Sequence, residues 1–248
     1  MKISIITISF NSEKTIEKTI RSVLDQNYQN YEFIIIDGES TDKTINIIKK
    51  YKKYIKLVIS EKDKGIYDAI NKGIKNSTGD VVSLLHSDNV FCDKTCTQKV
   101  ISHFKKNLKL DCLIGNTLIT NIHNDKIIRS YNATFFRRWM LYLGYSPPHP
   151  STFIKKKIYE RFGLYNIKYL IAGDFDFFVR IFLKKKISYK KVNENYIRMK
   201  VGGKSTESIK SNYISSKEMI NSLKYNKIFT NWFLIILRFP LKLIQYIT

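Results

Sequence analysis

Four short apolar runs, ISIITIS, YEFIIID, IKLVIS and DVVSLLH, recur between residues 3 and 86, and each of the first three is followed by a stretch with helical spacing. In SEKTIEKTIRSVLDQ the apolar residues Ile16, Ile20, Val23 and Leu24 fall on one face of a helix, with Ser12 as candidate N-cap. STDKTINIIKKYKK and GIYDAINKGIKNS read as further helices, the former starting near Ser40 or Thr41. Strands alternating with helices require crossover connections, and runs this apolar suit strands buried on both faces. The pattern therefore predicts an α/β fold built on a parallel sheet. After the helical KTCTQKVISHFKK it changes: DCLIGNTLIT and DKIIRSY flank NIHN as an antiparallel hairpin would. ATFFRRWMLYLGYSPPHPSTFIKK is a mixed region of loop and strand, and DFDFFVRIFLKK returns to helical spacing.

In open parallel sheets, ligands bind beyond the carboxyl ends of the strands. The first run ends in Thr7, Ile8, Ser9, Phe10 and Asn11, the second in Asp37, and the fourth in His86, Ser87 and Asp88. Polar groups suited to a nucleotide gather there. The first strand-to-helix turn lacks glycine, so the GxGxxG fingerprint is missing, as is GxxxxGK[ST]; a conventional dinucleotide or P-loop site is excluded. Ser87, Asp88 and Asn89 also favour turns through bonds to their own backbone.

Charge narrows the partners less than its size suggests. The formal net charge is +22, which invites nucleic acid, anionic lipid or phosphorylated substrates. The lysines are dispersed rather than clustered with aromatics, which argues against a nucleic-acid partner. Cys92, Cys96 and Cys112 are too few and too irregular for a disulfide framework or a zinc site, and suit a reducing cytosol. The opening MKISIITISF has no small-residue cleavage site, so export is not expected. Residues 228–248, IFTNWFLIILRFPLKLIQYIT, approach the ~20 residues of a membrane span, but Arg238, Pro240 and Lys242 interrupt them. Interfacial association at headgroup depth is expected, in preference to docking on the core.

Several ordered motifs together resemble family 2 glycosyltransferases, in particular bacterial surface-polysaccharide enzymes of the colanic-acid type. They are IITISFNSEKTIEKTIRSVLDQNYQNYEFIIIDGESTDKT, KGIYDAINKGIKNSTGDVVSLLHSDN, PPHPSTFIKK and AGDFDFFVRIFLK, spread over roughly residues 2–206. The resemblance implies a GT-A fold at 1–206. A Rossmann-like nucleotide-sugar-binding half (1–106) would be joined to a smaller antiparallel acceptor half (107–206). Residues 207–248 form a helical, amphipathic, membrane-associating tail.

It further implies an inverting, metal-dependent enzyme. A sugar would pass from a nucleoside diphosphate, UDP by expectation, to a glycan hydroxyl; the basic balance and the apolar segment 228–248 add the expectation that this acceptor sits on a lipid carrier at the inner face of a bacterial cytoplasmic membrane. By the resemblance Thr7, Ser9 and Asn11 wrap the nucleoside and Asp37 accepts from the base and ribose edge. Asp68 and Asn71, close together on one helix, contact ribose or diphosphate. His86-Ser87-Asp88 stands where the family has its Asp-x-Asp motif. Asp88 then ligates Mn²⁺ or Mg²⁺, His86 replaces the first carboxylate as ligand or ribose contact, and Ser87 lies beside the donor. Asp174 inherits the base role, with Gly173 where the family often has Glu; Asp176, about 200° around the helix, is read as structural. His149, rigidified by prolines, stands near acceptor or diphosphate. Lys204, after Gly202 and Gly203 and with Arg198, belongs to a segment that closes over the diphosphate. His86 also keeps open an inactive, scaffolding relative.

Overall fold

The structure is a computed structural model and describes residues 1–121, 126–201 and 209–243. In chain order, β1 (Ile3–Ser9), α1 (Ile16–Leu24), β2 (Tyr31–Asp37), α2 (Thr44–Lys50), β3 (Leu57–Ser60), α3 (Ile66–Asn76) and β4 (Val81–Leu84) realise the alternation expected from the apolar runs. β5 (Asn89–Phe91) and α4 (Cys96–Lys106) follow, then the hairpin β6 (Cys112–Thr120) and β7 (Ile127–Tyr131). β8 (Thr152–Lys155), α5 (Lys156–Phe162) and α6 (Gly173–Phe178) come next, α6 continuing as a π-helical turn at Val179–Lys184. The described chain closes with β9 (Tyr189–Lys200), α7 (Ile209–Tyr225), α8 (Trp232–Ile236) and α9 (Arg238–Leu243).

One sheet carries all nine strands, in the order β3-β2-β1-β4-β8-β6-β9-β5, with β7 beside the far half of β6. The pairs β3–β2, β2–β1 and β1–β4 are parallel. β8 enters antiparallel between β4 and β6, while β6 and β9 run parallel. The fold is thus mixed α/β, a parallel nucleotide-type half continued by a mixed half. The register of β1 on β2 puts Ser9 opposite Asp37, so both strands end together.

Period-two alternation divides the core. Ile3, Ile5, Phe33 and Ile35 pack with Ile16, Ile20 and Val23 of α1, Ile48 of α2 and Phe104 of α4 on one face. Ile6, Ile8, Ile34, Ile36 and Leu84 pack with α3, α5, α6 and α7 on the other. Each such isoleucine, fully removed from water, contributes ~1.5–3 kcal/mol. The sheet is sandwiched on both sides, which is why its strands read as unbroken apolar runs.

Two local expectations are corrected. α2 begins at Thr44, not near Thr41, because Asp42 Oδ1 accepts from the Thr44 N–H (2.9 Å) while Ser40 is drawn to Asp37. α1 begins at Ile16, and the Ser12 hydroxyl bonds Phe10 O and Ser87 Oγ rather than capping it.

At the strand edge opposite the site, Glu32 is almost enclosed. It accepts from Ser4 Oγ (2.6 Å), Thr78 Oγ1 (2.7 Å) and Lys56 Nζ (2.5 Å), and pairs with Lys2 (2.7 Å). Burial alone would raise its pKa, but the bonds from Lys2, Lys56, Ser4 and the Thr78 backbone outweigh that and hold it well below the usual carboxylate range. A depressed folded pKa contributes stability that is present above the unfolded value of about 4.3 and is lost as pH falls from there toward the folded value. Tm should therefore fall as the solution is acidified from about pH 5 to about pH 3, with Glu32 contributing some 3 °C of the loss. Glu32→Gln should melt lower at neutral pH and show a flatter acid limb. An acid limb identical to that of the unsubstituted chain would contradict this.

Residues 209–243, the described part of the C-terminal segment, are not set apart from the body. Met219, Ile220 and Leu223 of α7 and Ile235 of α8 belong to the same core cluster as α3 and α6. The boundary drawn at 206 divides the sequence, while the packing crosses it. Docking on the core, which the sequence reading ranked second, is what the described part of the tail does on its inner face.

Candidate active site

The site is a chain of contacts from the ends of β1, β2 and β4 to the start of α6. Asp37, fully buried, accepts from Ser9 Oγ (2.9 Å), Ser40 N (2.9 Å), Ser40 Oγ (2.6 Å) and Ser60 Oγ (2.9 Å). A carboxylate has about four acceptor sites, and these donors occupy them. Asp37 therefore ties the ends of β1, β2 and β3 together, at the strand edge where a nucleoside contact was expected of it. Ser9 is buried with it. Thr7, expected beside the nucleoside, is also wholly buried within the sheet, its hydroxyl enclosed without a partner.

Asn11 is the residue of this edge that does reach the surface. Its backbone is left-handed (φ 47°), a conformation Asn tolerates. Its Oδ1 accepts from Thr41 N (2.9 Å) and its N–H donates to Ser40 Oγ (2.8 Å), joining the loops after β1 and β2. Beside it the ring of Phe10 is 61% exposed, an aromatic face at the nucleotide edge that the sequence reading passed over.

After β4, Ser87 Oγ lies 2.7 Å from Ser12 Oγ and the Ser87 N–H donates to Ile8 O (3.2 Å), which pins the turn to β1. Asp88 is exposed at its tip. His86 has Nε2 buried without a partner, and burial lowers its pKa against the opposing charge of Asp88. Its ring meets that of His149 edge-on, centroids 6.1 Å apart. Burial, with His86 nearby, takes the His149 pKa down to about 3, so this imidazole is neutral at working pH. His149 Nε2 is 3.0 Å from Tyr165 Oη, and Tyr165 stacks on Tyr67 at 5.8 Å. Tyr67 donates to Ile171 O (2.5 Å) and reaches Asp174 Oδ1 (3.3 Å). Burial first and Asp174 second push the Tyr67 pKa well up, which keeps it a donor. Asp174 Oδ1 also accepts the Phe175 N–H (2.8 Å), so the carboxylate is oriented at the first turn of α6.

The predicted pair on α3 separates in role. Asp68 Oδ2 accepts the Lys64 N–H (3.0 Å) and lies 3.5 Å from Lys72 Nζ, closing the N-terminus of α3. Asn71 is buried and grips the Tyr165 backbone with both ends, Nδ2 to O at 2.8 Å and Oδ1 from N at 3.0 Å. Both side chains are held by protein. Asn71, of which a ribose or diphosphate contact was expected, is bonded to the Tyr165 backbone. Asp176 is structural, as read, bonding Arg180 Nε (3.0 Å) and Ser222 Oγ (2.8 Å) of α7. Arg198 lies in β9, opposite Val90 of β5. Lys204, with Gly202 and Gly203, lies outside the described residues.

Two supports for Asp174 were given no role from the sequence. Tyr67 comes from α3, and Glu218 of α7 accepts the N–H groups of Leu170 (2.8 Å), Ile171 (2.9 Å) and Ala172 (2.8 Å) just before α6. The first lies within the KGIYDAINKGIK motif on α3. Nothing in the local sequence marks the second.

A divalent ion of the Mn²⁺ or Mg²⁺ class prefers oxygen ligands. Among the described residues no three His, Cys, Asp or Glu side chains converge on one point. The exposed Asp88 carboxylate has the chemistry such an ion would take, with the His86 imidazole two residues away.

Residues 4–185 match the family model Glycosyl transferase family 2. The chain belongs to that family. The transferase is 29% identical over 179 residues to an uncharacterized glycosyltransferase of Mycobacterium tuberculosis, covering 72% of this chain and 68% of the relative. It is 37% identical over 121 residues to the poly-beta-1,6-N-acetyl-D-glucosamine synthase of Staphylococcus epidermidis, covering 48% of this chain and 29% of the synthase. In fold it is similar to S. aureus TarS 1-349 in complex with UDP-GlcNAc, with a TM-score of 0.69 and 17% identity over 90% of this chain and 66% of that one. The mannosyltransferase PcManGT of Pyrobaculum calidifontis, in complex with GDP-Man and Mn²⁺, gives 0.63 and 12% over 90% and 63%. The transferase thus spans just under two thirds of these solved chains. The likeness to them is one of fold and agrees with the GT-A architecture.

Proposed function

We propose that this transferase moves a sugar, an N-acetylhexosamine by preference, from its UDP conjugate to a glycan hydroxyl with inversion at the anomeric carbon. The supporting observation is the unbroken line of contacts from the β4 turn through His86, His149, Tyr165 and Tyr67 to Asp174. It sets an oriented carboxylate on the acceptor half against a nucleotide-type strand edge. In this reading Phe10 offers its ring to the base and Asn11 flanks the nucleoside. Ser9 and Asp37 hold the strand ends rigid beneath it. The acceptor O–H gives its proton to Asp174 while its oxygen attacks the anomeric carbon from the face opposite the diphosphate. The bond to the diphosphate breaks, and its electron pair leaves on the phosphate oxygen. Asp88, with His86, would hold Mn²⁺ or Mg²⁺, which when bound supplies positive charge to the departing diphosphate. His149, neutral throughout, offers a hydrogen bond without adding charge.

The acceptor in this reading is carried on a lipid at the inner face of a bacterial cytoplasmic membrane. The basic balance and the apolar C-terminal segment support it. No described helix is long and apolar enough to cross a membrane.

A thermal-shift panel of nucleotide sugars, with and without Mn²⁺, tests the donor. A ligand at about a hundred times its Kd stabilises the native state by ~2.7 kcal/mol, so a UDP-sugar should raise Tm by several degrees and GDP-mannose by less. No shift with any nucleotide sugar, and no nucleotide release from any of them, would overturn the proposal.

A further inference from the structure

The outer side of the C-terminal helices is unlike the rest of the surface. Phe229, Trp232, Phe233, Ile236 and Phe239 are exposed, Phe233 by 70% and Ile236 by 52%. Their spacing puts them on one face of the α8–α9 segment, while Ile235 and Arg238 point inward. α8 packs on the 3₁₀ turn Arg138–Leu143, which exposes Trp139 and Tyr142 in turn. The packing is close: a Cβ on Gly144 would lie 3.2 Å from Ile235 Cδ1 and 3.4 Å from Arg238 Cδ. Arg238 pins α9 to α7 through Ser216 Oγ (3.0 Å) and a contact with Met219. Trp232 stacks on Tyr213 of α7 at 5.5 Å. The apolar face therefore belongs to a braced platform made of two stretches distant in sequence.

Those same stretches carry charge of one sign. From residue 126 to 159, and again from 219 to 248, there is no Asp or Glu, whereas Arg137, Lys224 and Lys227 are exposed there. Aromatic rings with a basic fringe and no acid match the chemistry of an anionic membrane surface, where Trp sits at headgroup depth and cations meet lipid phosphate. A protein partner would need its own acidic apolar face, and a second copy would set this basic fringe against itself.

We propose that the outer face of the Arg138–Leu143 turn and of α8–α9 docks on an anionic lipid bilayer, with Trp139, Trp232, Phe233 and Ile236 in the interface. This deepens the membrane part of the function proposed above and rests on it, but not on the chemistry of transfer. His149 follows Leu143 by six residues, a stretch that spans at most ~20 Å, so the candidate site lies within that distance of the docking face.

The test is sedimentation of the full chain with vesicles. It should bind vesicles containing about 30% phosphatidylglycerol and bind pure phosphatidylcholine more weakly, the difference shrinking with added salt. Phe233→Ser/Ile236→Ser should lower partitioning about tenfold, and Trp139→Ser, on the separate turn, should lower it too. Both variants should keep the nucleotide-sugar thermal shift, which separates failure of the membrane surface from failure of the transferase reading. Undiminished vesicle binding by both variants, or none by the unsubstituted chain, overturns the proposal. A dimer that the same substitutions dissociate, without vesicle binding, overturns it in favour of a second copy.

Discussion

Asp174→Asn is expected to lower kcat by about 10²–10⁴-fold, the usual contribution of a positioned general base, while leaving the donor-induced thermal shift intact. Asn keeps the volume and can still accept from the Phe175 N–H, which the Asp174 carboxylate now bonds at 2.8 Å, and from Tyr67 Oη. What it lacks is the basicity to take the acceptor proton. Nucleotide release measured with acceptor present, beside the thermal shift without it, separates the two effects. Full turnover by the Asn variant would remove Asp174 from the chemistry. The reading would then have to move to another base, and Asp176 is poorly placed for that, being buried against Arg180 and Ser222.

Gly173→Ala should be a damaging single methyl at the candidate site. A Cβ at this position would come within 2.7–2.8 Å of three ring atoms of Tyr67. Tyr67 has little room to move, since it is 6% exposed, stacked on Tyr165 and bonded to Ile171 O. Overpacking of this kind costs about 1–3 kcal/mol, and relief by displacing Tyr67 removes a donor from Asp174. Both stability and kcat should fall. Tyr67→Leu, which removes the ring, should recover much of the stability of Gly173→Ala in a double-mutant cycle but not its activity. Independent, additive losses in that cycle would show that the ring is not the obstacle.

Much of the site was readable as an ordered set of motifs, and the acceptor-half carboxylate and His149 do fall beside one another's contacts. What the sequence left unseen at two of its site residues shares a cause. Asp37 was expected to meet a nucleoside, and Asn71 a ribose or diphosphate. Their partners, Ser60 for one and the Tyr165 backbone for the other, lie on elements that no local pattern brings near. A polar residue in a promising motif looks available until its internal donors and acceptors are counted. β9 was missed for a related reason. YKKVNENYIRMK is rich in Lys and Asn, with only Val192, Tyr196 and Ile197 as buried apolar residues. Its pairing is set by β6, with register shifts that break any alternation a reader could follow.

The sequence alone determined the layered α/β body, because strands buried on two faces must be apolar throughout and helices between them must carry one apolar stripe. It also determined the order in which polar groups arrive at the strand ends. Only the tertiary structure decided which of those groups are spent on holding loops together and which face outward. That choice depends on hydrogen-bond partners supplied from far along the chain. It likewise decided that the apolar C-terminal segment splits into a docked inner face and an exposed outer one, since burial of a short helix is settled by what it packs against and not by its composition.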